Sequence, residues 1–189
     1  MFKTLLTCTL FVASGLASAA PAAYAIDPDH TVVTFEIVHM GMSTHRGHLE
    51  AKEGSVVLDR VAKTGSADIT IDTNTLSVAL PAFQATLKGE RFFNVPLNPA
   101  ARFVGDSFSF DGDTLSSVAG TMTILGKSQP VTLKATKFTC FISPLNKREV
   151  CGGDFETTIQ RSQFGLGFLP TVSPDNVRLL IQVEAIKQQ

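Results

Sequence analysis

Residues 24–49, YAIDPDHTVVTFEIVHMGMSTHRGHL, decide how the rest of the chain is read. From Thr31 the odd positions run Thr31, Val33, Phe35, Ile37, His39, and the even ones run Val32, Thr34, Glu36, Val38. One face is apolar and ends in an imidazole while the other is mixed, a period of two built from β-branched and aromatic residues, which marks a strand with one buried face. Asp27-Pro28-Asp29 ahead of it is a turn, because proline fixes φ and the aspartates can bond nearby amides. Beyond it come Met40-Gly41-Met42, apolar but flexible, and then polar Ser43-Thr44-His45-Arg46. A strand that runs from a fixed turn to a soft, Met-lined mouth suggests the wall of a container.

Working back toward the start, Lys3 precedes the apolar run Leu5–Leu16, and Ala17-Ser18-Ala19 has the small-x-small form of a cleavage site. Residues 1–19 are therefore expected to be a secretory signal peptide cut after Ala19, too short to span a bilayer, placing the protein in the periplasm or outside the cell. Residues 20–189 remain, one domain's worth of chain with room for one large core. The formal net charge of −1 becomes −2 once Lys3 is lost, which argues against nucleic acid or an electrostatically bound membrane surface as partner. No second apolar run approaches a transmembrane length. Charged residues are 17% of the chain, below the ~25% usual for soluble domains, and twelve of the 14 Phe lie beyond residue 19 alongside one Tyr and no Trp. So many apolar rings either fill an ordinary core or line something hollow.

Past Gly47 the pattern is strand after strand: 49–52, a turn at Glu53-Gly54, 55–58, then Ser66–Thr73 with Ala67, Ile69 and Ile71 on one face. The segment 80–88 breaks that rhythm, placing Phe83 and Leu87 four apart after Pro81, a short helix that Gly89 ends. Strands resume at 102–110, where Phe108 and Phe110 share a face opposite Phe103 unless a bulge reconciles them, and turn at Asp111-Gly112-Asp113. Further strands follow at 117–125, 130–140, 154–161 and 177–186. Cys140 and Cys151 bracket a loop containing Pro144 and Asn146, and in an oxidising compartment they are expected to form a disulfide. By the chain-entropy account a loop of that length is stabilised by roughly 2–3 kcal/mol. Eight or nine antiparallel strands with one helix give an all-β chain. Closure into a barrel is one complete way to remove the sheet's edges, although periodicity alone does not separate a barrel from a sandwich, and about eight strands in a barrel leave an interior that is just filled or holds one elongated ligand.

Several landmarks resemble the YceI-like family of exported, lipocalin-like polyisoprenoid-binding proteins. They are Tyr24-x-Ile26-Asp27-x-x-His30, Phe35-x-x-x-His39-x-Gly41, Gly47, Val118-x-Gly120-x-Met122-Thr123-Ile124-x-Gly126, Arg161-Ser162-x-Phe164-Gly165, and Val177-x-Leu179-x-Ile181-x-Val183-Glu184. The chain departs from the family at Leu87-Lys88-Gly89-Glu90-Arg91, where an Arg-Asp pair is common, and at Asn98-Pro99, where Tyr-Pro is favoured. The resemblance implies an extended eight-stranded antiparallel barrel around a long apolar tunnel, binding an isoprenoid or related amphiphile such as a polyprenyl phosphate, quinone or fatty amide.

The chemistry fits that expectation. At ~0.8 kcal/mol per buried carbon, one isoprene unit contributes on the order of 3–4 kcal/mol before the cost of immobilising the chain. The candidate ligand-binding residues are apolar, inward or near the mouth: Phe35, Ile37, Met40, Met42, Leu87, Phe92, Phe108, Phe110, Met122, Phe141, Phe155, Ile159, Phe164 and Phe168. His39, with Arg161 as a second donor, could hold a polar headgroup at the entrance. The spacing of His39, His45 and His48 matches no metal site, and no cofactor is expected. No G-x-S-x-G, H-E-x-x-H or P-loop is present, so a binder is expected and not an enzyme. The competing expectations are a filled-core structural or stress-response module and a lipid hydrolase. An exposed edge or the helix could also pair two copies.

Overall fold

A computed structural model of the chain describes residues 20–189. The expected signal peptide lies outside those residues. Nine strands are present among them: β1 (Ala22–Ile26), β2 (Val32–His39), β3 (Ser43–Asp59), β4 (Thr64–Val78), β5 (Ala100–Asp111), β6 (Thr114–Ile124), β7 (Lys127–Ile142), β8 (Glu149–Gln160) and β9 (Asn176–Lys187). Each of β2–β9 pairs antiparallel with its neighbours, and β3–β4 and β2–β9 pairing closes the eight into a barrel. The ninth strand, β1, lies outside that circuit. It is collinear with β2 and bridges the same two neighbours, β3 and β9, below the Asp27-Pro28-Asp29 bend. A closed cylinder has no free edge among β2–β9, which is how so long a sheet avoids pairing with itself between molecules.

The strands are longer than the alternation suggests, because bulges carry them across apparent breaks. Glu53-Gly54 is not a turn: β3 runs straight through it, with register shifts between His48 and Glu50 and between Ala51 and Glu53. In β5 a shift between Gly105 and Ser107 changes the phase, so that Phe103 and Phe108 both face inward. Gly105 stands directly opposite Gly120 at that point. A Cβ on Gly120 would lie 2.1 Å from the Val104 carbonyl oxygen, a backbone atom that cannot swing aside. Gly120→Ala should therefore cost about 1–3 kcal/mol, the usual penalty of overpacking, read as a lower urea midpoint with an unchanged slope.

At one end of the barrel sit the turns at 60–63 and 112–113 and the loop 143–148. Near it the disulfide Cys140–Cys151 joins residues that are direct partners on β7 and β8. At the other end lie the β2–β3 hairpin, the segment 79–99 with its helix α1 (Pro81–Lys88), and the loop 161–175. Pro81 opens α1 and Gly89 closes it, while Leu87 is its buried residue and packs with Leu49 and Leu76.

Candidate functional site

The inward face of the barrel does not close on itself. The side chains of all the staves surround one cavity of about 760 Å³, within the ~300–1,000 Å³ typical of sites for small organic ligands. Its wall includes Val33, Phe35 and Ile37 of β2, Ile69 and Ile71 of β4, Phe103 and Phe108 of β5, Met122 of β6, Phe138 of β7, Phe155 and Ile159 of β8, and Ile181 and Val183 of β9. The hydrophobic rings therefore face a lumen across the barrel axis.

The two ends of the cavity differ. Toward the disulfide, the wall residues Tyr24, Leu58 and Leu115 are 2–4% exposed, so that end is shut. Tyr24 donates its hydroxyl hydrogen bond to Glu149 at 3.3 Å, and Glu149 also accepts from Arg60 at 2.5 Å and Lys187 at 3.3 Å. Burial, reinforced by the Glu149 carboxylate, pushes the Tyr24 phenol above its ordinary value, so it stays a neutral donor at any physiological pH. Toward α1, wall residues Leu80, Phe168 and Leu169 are exposed, so this end is the mouth.

Two side chains mark the mouth from within. The rings of His39 and His45 stack with centroids 4.5 Å apart and planes 11° apart, and His45 meets the edge of Phe83 from α1 at 5.6 Å. Cross-strand register causes this: Ile37 stands opposite His45, so His39 and His45 share the inward face. On the other side, Phe92 and Phe168 meet edge to face at 5.6 Å with the Arg91 guanidinium 5.2 Å over the Phe168 ring.

Most polar side chains on the wall are already committed. Thr31 donates to the Glu184 carbonyl, Arg46 to Glu36 and Arg102 to Asp68. Arg161 is buried and gives its guanidinium wholly to backbone carbonyls: Pro174, Leu166, Phe168, Leu169 and Ser173. It has no donor left for a ligand and instead shapes the loop that forms one lip of the mouth, which corrects its expected role as a headgroup donor. Among the described residues, His39, His45, Thr44 and Ser173 line the cavity without a side-chain hydrogen bond.

Asp175 fastens the other end of that loop, accepting from the Ser162 hydroxyl at 2.7 Å and the Ser162 amide at 2.8 Å. These bonds hold its carboxyl below the usual carboxylate range. A depressed value in the folded state means that its contribution is present above about pH 4 and is lost as the pH falls through the folded value. The stability gap between the wild type and Asp175→Asn should therefore shrink steadily on acidification from pH 5 toward 2, measured by urea unfolding at each pH.

The expected site residues divide cleanly in space. Phe35, Ile37, His39, Leu87, Phe92, Phe108, Met122, Phe155, Ile159, Arg161 and Phe168 lie on the cavity wall. Met40 and Met42 do not: they occupy the tip of the β2–β3 hairpin, where Met40 adopts a left-handed conformation and its amide donates to the Val172 carbonyl. Phe141 faces outward, one residue out of phase with Cys140, whose partner Cys151 is on the wall, and Phe110, on the same face of β5 as Phe108, packs half-buried against the core without lining the cavity. Phe164 is almost wholly buried in the turn after β8 and packs with the core cluster that includes Ile159, Leu166 and Val177. His45, Phe83 and Phe103 were missed. The first two become visible only when strand pairing and the helix's docking are known, and the third only once the bulge is placed.

A closed antiparallel barrel with a continuous apolar lumen and one opening defines a hollow-barrel ligand-binding architecture. The match to the YceI-like domain family covers residues 24–185, and the chain belongs to that family. A UPF0312 protein of Pseudomonas aeruginosa (strain LESB58) is 31% identical over 192 residues, covering 98% of both chains. Among solved structures, Burkholderia cenocepacia BcnA matches with a TM-score of 0.65 at 21% identity, covering 84% of this chain and 98% of that one. A polyisoprenoid binding domain from Saccharophagus degradans matches with a TM-score of 0.58 at 11% identity, covering 88% and 99%. These likenesses show that the barrel is shared.

Proposed function

We propose that this protein binds one long-chain isoprenoid or related amphiphile, its chain threaded into the lumen and its polar head at the mouth, and carries or stores it in the cell envelope after export. The cavity is the observation that carries this reading. Water in a space of this size needs two to four polar partners per molecule, and the deep part of the wall offers almost none. A hydrocarbon chain needs no such partners, and each buried isoprene unit contributes on the order of 3–4 kcal/mol before losses.

The head belongs at the mouth because the free hydrogen-bonding groups lie there. The stacked His39–His45 pair lines the cavity at the mouth with no side-chain hydrogen bond of its own, and a quinone carbonyl, amide or phosphate would be met by its ring nitrogens. The polyisoprenoid-binding domain of Saccharophagus degradans supports the same ligand class through its shared barrel. We read the protein as a binder and not as an enzyme, since Arg161 and Tyr24 are held in structural contacts. Native mass spectrometry of the protein purified from its own host tests the reading: a co-purifying amphiphile is expected. A protein that emerges empty, and that takes up no polyprenyl lipid when offered one, would overturn it.

A further inference from the structure

The end of the barrel that carries the opening also presents apolar side chains at the tips of three separate segments. They are Met40 and Met42 from the β2–β3 hairpin, Leu80 and Leu97 on either side of α1, and Phe168 and Leu169 from the loop 161–175. Met42 and Leu97 are each 77% exposed. Turns ordinarily carry Gly, Asn, Asp or Ser, so Met at both flanks of Gly41 runs against what the turn itself favours. Leu80, Phe168 and Leu169 also line the cavity, so the patch and the lumen form one continuous apolar surface.

We propose that this rim docks on a lipid bilayer, its apolar tips entering the headgroup layer so that the lumen opens onto the hydrocarbon. Three features favour a bilayer over a protein. The apolar residues stand at separate loop tips around an opening and form no groove, and the closed circuit β2–β9 offers no strand edge for a peptide to extend. The Arg91 guanidinium lies over the Phe168 ring and the Lys127 ammonium beside Gly165 of the loop 161–175, and long basic side chains suit the boundary between hydrocarbon and anionic headgroups. A long isoprenoid has almost no concentration in water, so a site for one fills efficiently only from an apolar phase. The net charge of −1 for the whole chain is no obstacle, because apolar insertion supplies the attraction and the local cations only add to it. The opposite end also exposes apolar groups, Phe141, Ile142 and Leu145, but the wall there is shut, and it serves as the control.

The inference takes its motive from the proposed function, but its test reads insertion without any ligand. The chain contains no Trp, so a single introduced Trp reports cleanly. With vesicles of phosphatidylcholine, alone or mixed with phosphatidylglycerol, Met42→Trp is expected to shift its emission to the blue and to be quenched by brominated acyl chains. Leu145→Trp should do neither. Added salt should remove only the gain due to phosphatidylglycerol. A Met42→Glu/Leu97→Glu double variant should lower the vesicle-bound fraction roughly tenfold, yet still load polyprenyl lipid dispersed from ethanol. Absence of any shift at residue 42, a shift at residue 145 alone, or binding that requires a membrane protein and is lost on protein-free vesicles would overturn the proposal. If no protein loads lipid but Met42→Trp still inserts, the ligand reading fails and the docking surface stands.

Discussion

Arg161→Ala is expected to destabilise the barrel by about 3 kcal/mol or more and to loosen the mouth at the same time. The guanidinium has five N–H donors in a fixed fork, and here five backbone carbonyls between Leu166 and Pro174 take them. Removing the side chain leaves those carbonyls behind. A buried acceptor without a partner costs about 1–3 kcal/mol, and water can reach only some of them, since Leu166 is itself buried. For a domain of this size each kcal/mol lowers Tm by about 2–4 °C, so a loss of roughly 6–12 °C is expected by calorimetry. Arg161→Lys should recover little, because an ammonium has three donors on a flexible stem and cannot span five acceptors. Phe168, Leu169, Val172 and Ser173 line the cavity from this same loop, so a lipid should also leave Arg161→Ala faster. A variant as stable as the wild type would mean that solvent replaces the guanidinium and that the loop is held by Asp175 and Ser162 alone.

That role for Arg161 shows where a linear reading reaches its limit. The alternation at 31–39 was legible because side-chain direction in a strand depends only on parity, and the structure keeps it: Val33, Phe35, Ile37 and His39 all face the lumen. The helix at 81–88 was legible because Pro81 and Gly89 act on the backbone locally. Parity fails at each bulge, and β3, β5 and β7 all contain them, which is why Phe103 joins Phe108 on the inward face and Glu53-Gly54 looked like a turn. Met40, Met42 and Phe141 were misplaced for a related reason: hydropathy says that a side chain is apolar, and only the direction of the chain at that point says whether it faces inside or outside. Arg161 is the hardest case. Its partners are carbonyls of an irregular loop, and carbonyls belong to every residue alike, so no sequence pattern announces them.

Ile181→Trp should abolish lipid binding while leaving the fold intact or more stable, and the contrast separates a hollow barrel from a merely loose one. Ile181 sits midway along β9, opposite Val33 on one side and Phe155 on the other, half-buried with its side chain on the lumen wall. An indole there projects into a cavity of about 760 Å³, where it meets empty space and little packed structure. In a filled core the same change would be overpacking, at about 1–3 kcal/mol of destabilisation. Here filling a cavity typically adds about 0.5–2 kcal/mol of stability. The ligand loses the space that the indole takes. Displacing even one isoprene unit from the wall removes on the order of 3–4 kcal/mol of burial, which is a drop in affinity of more than a hundredfold. Displacement of a fluorescent polyene lipid reads the affinity, and urea unfolding reads the stability. Loss of both together would mean that the wall cannot accept an indole and the lumen is already occupied by its own side chains. Retention of both would mean that the hydrocarbon binds elsewhere, because a chain threaded along β9 cannot pass a ring at residue 181 without giving up the depth that makes the site bind.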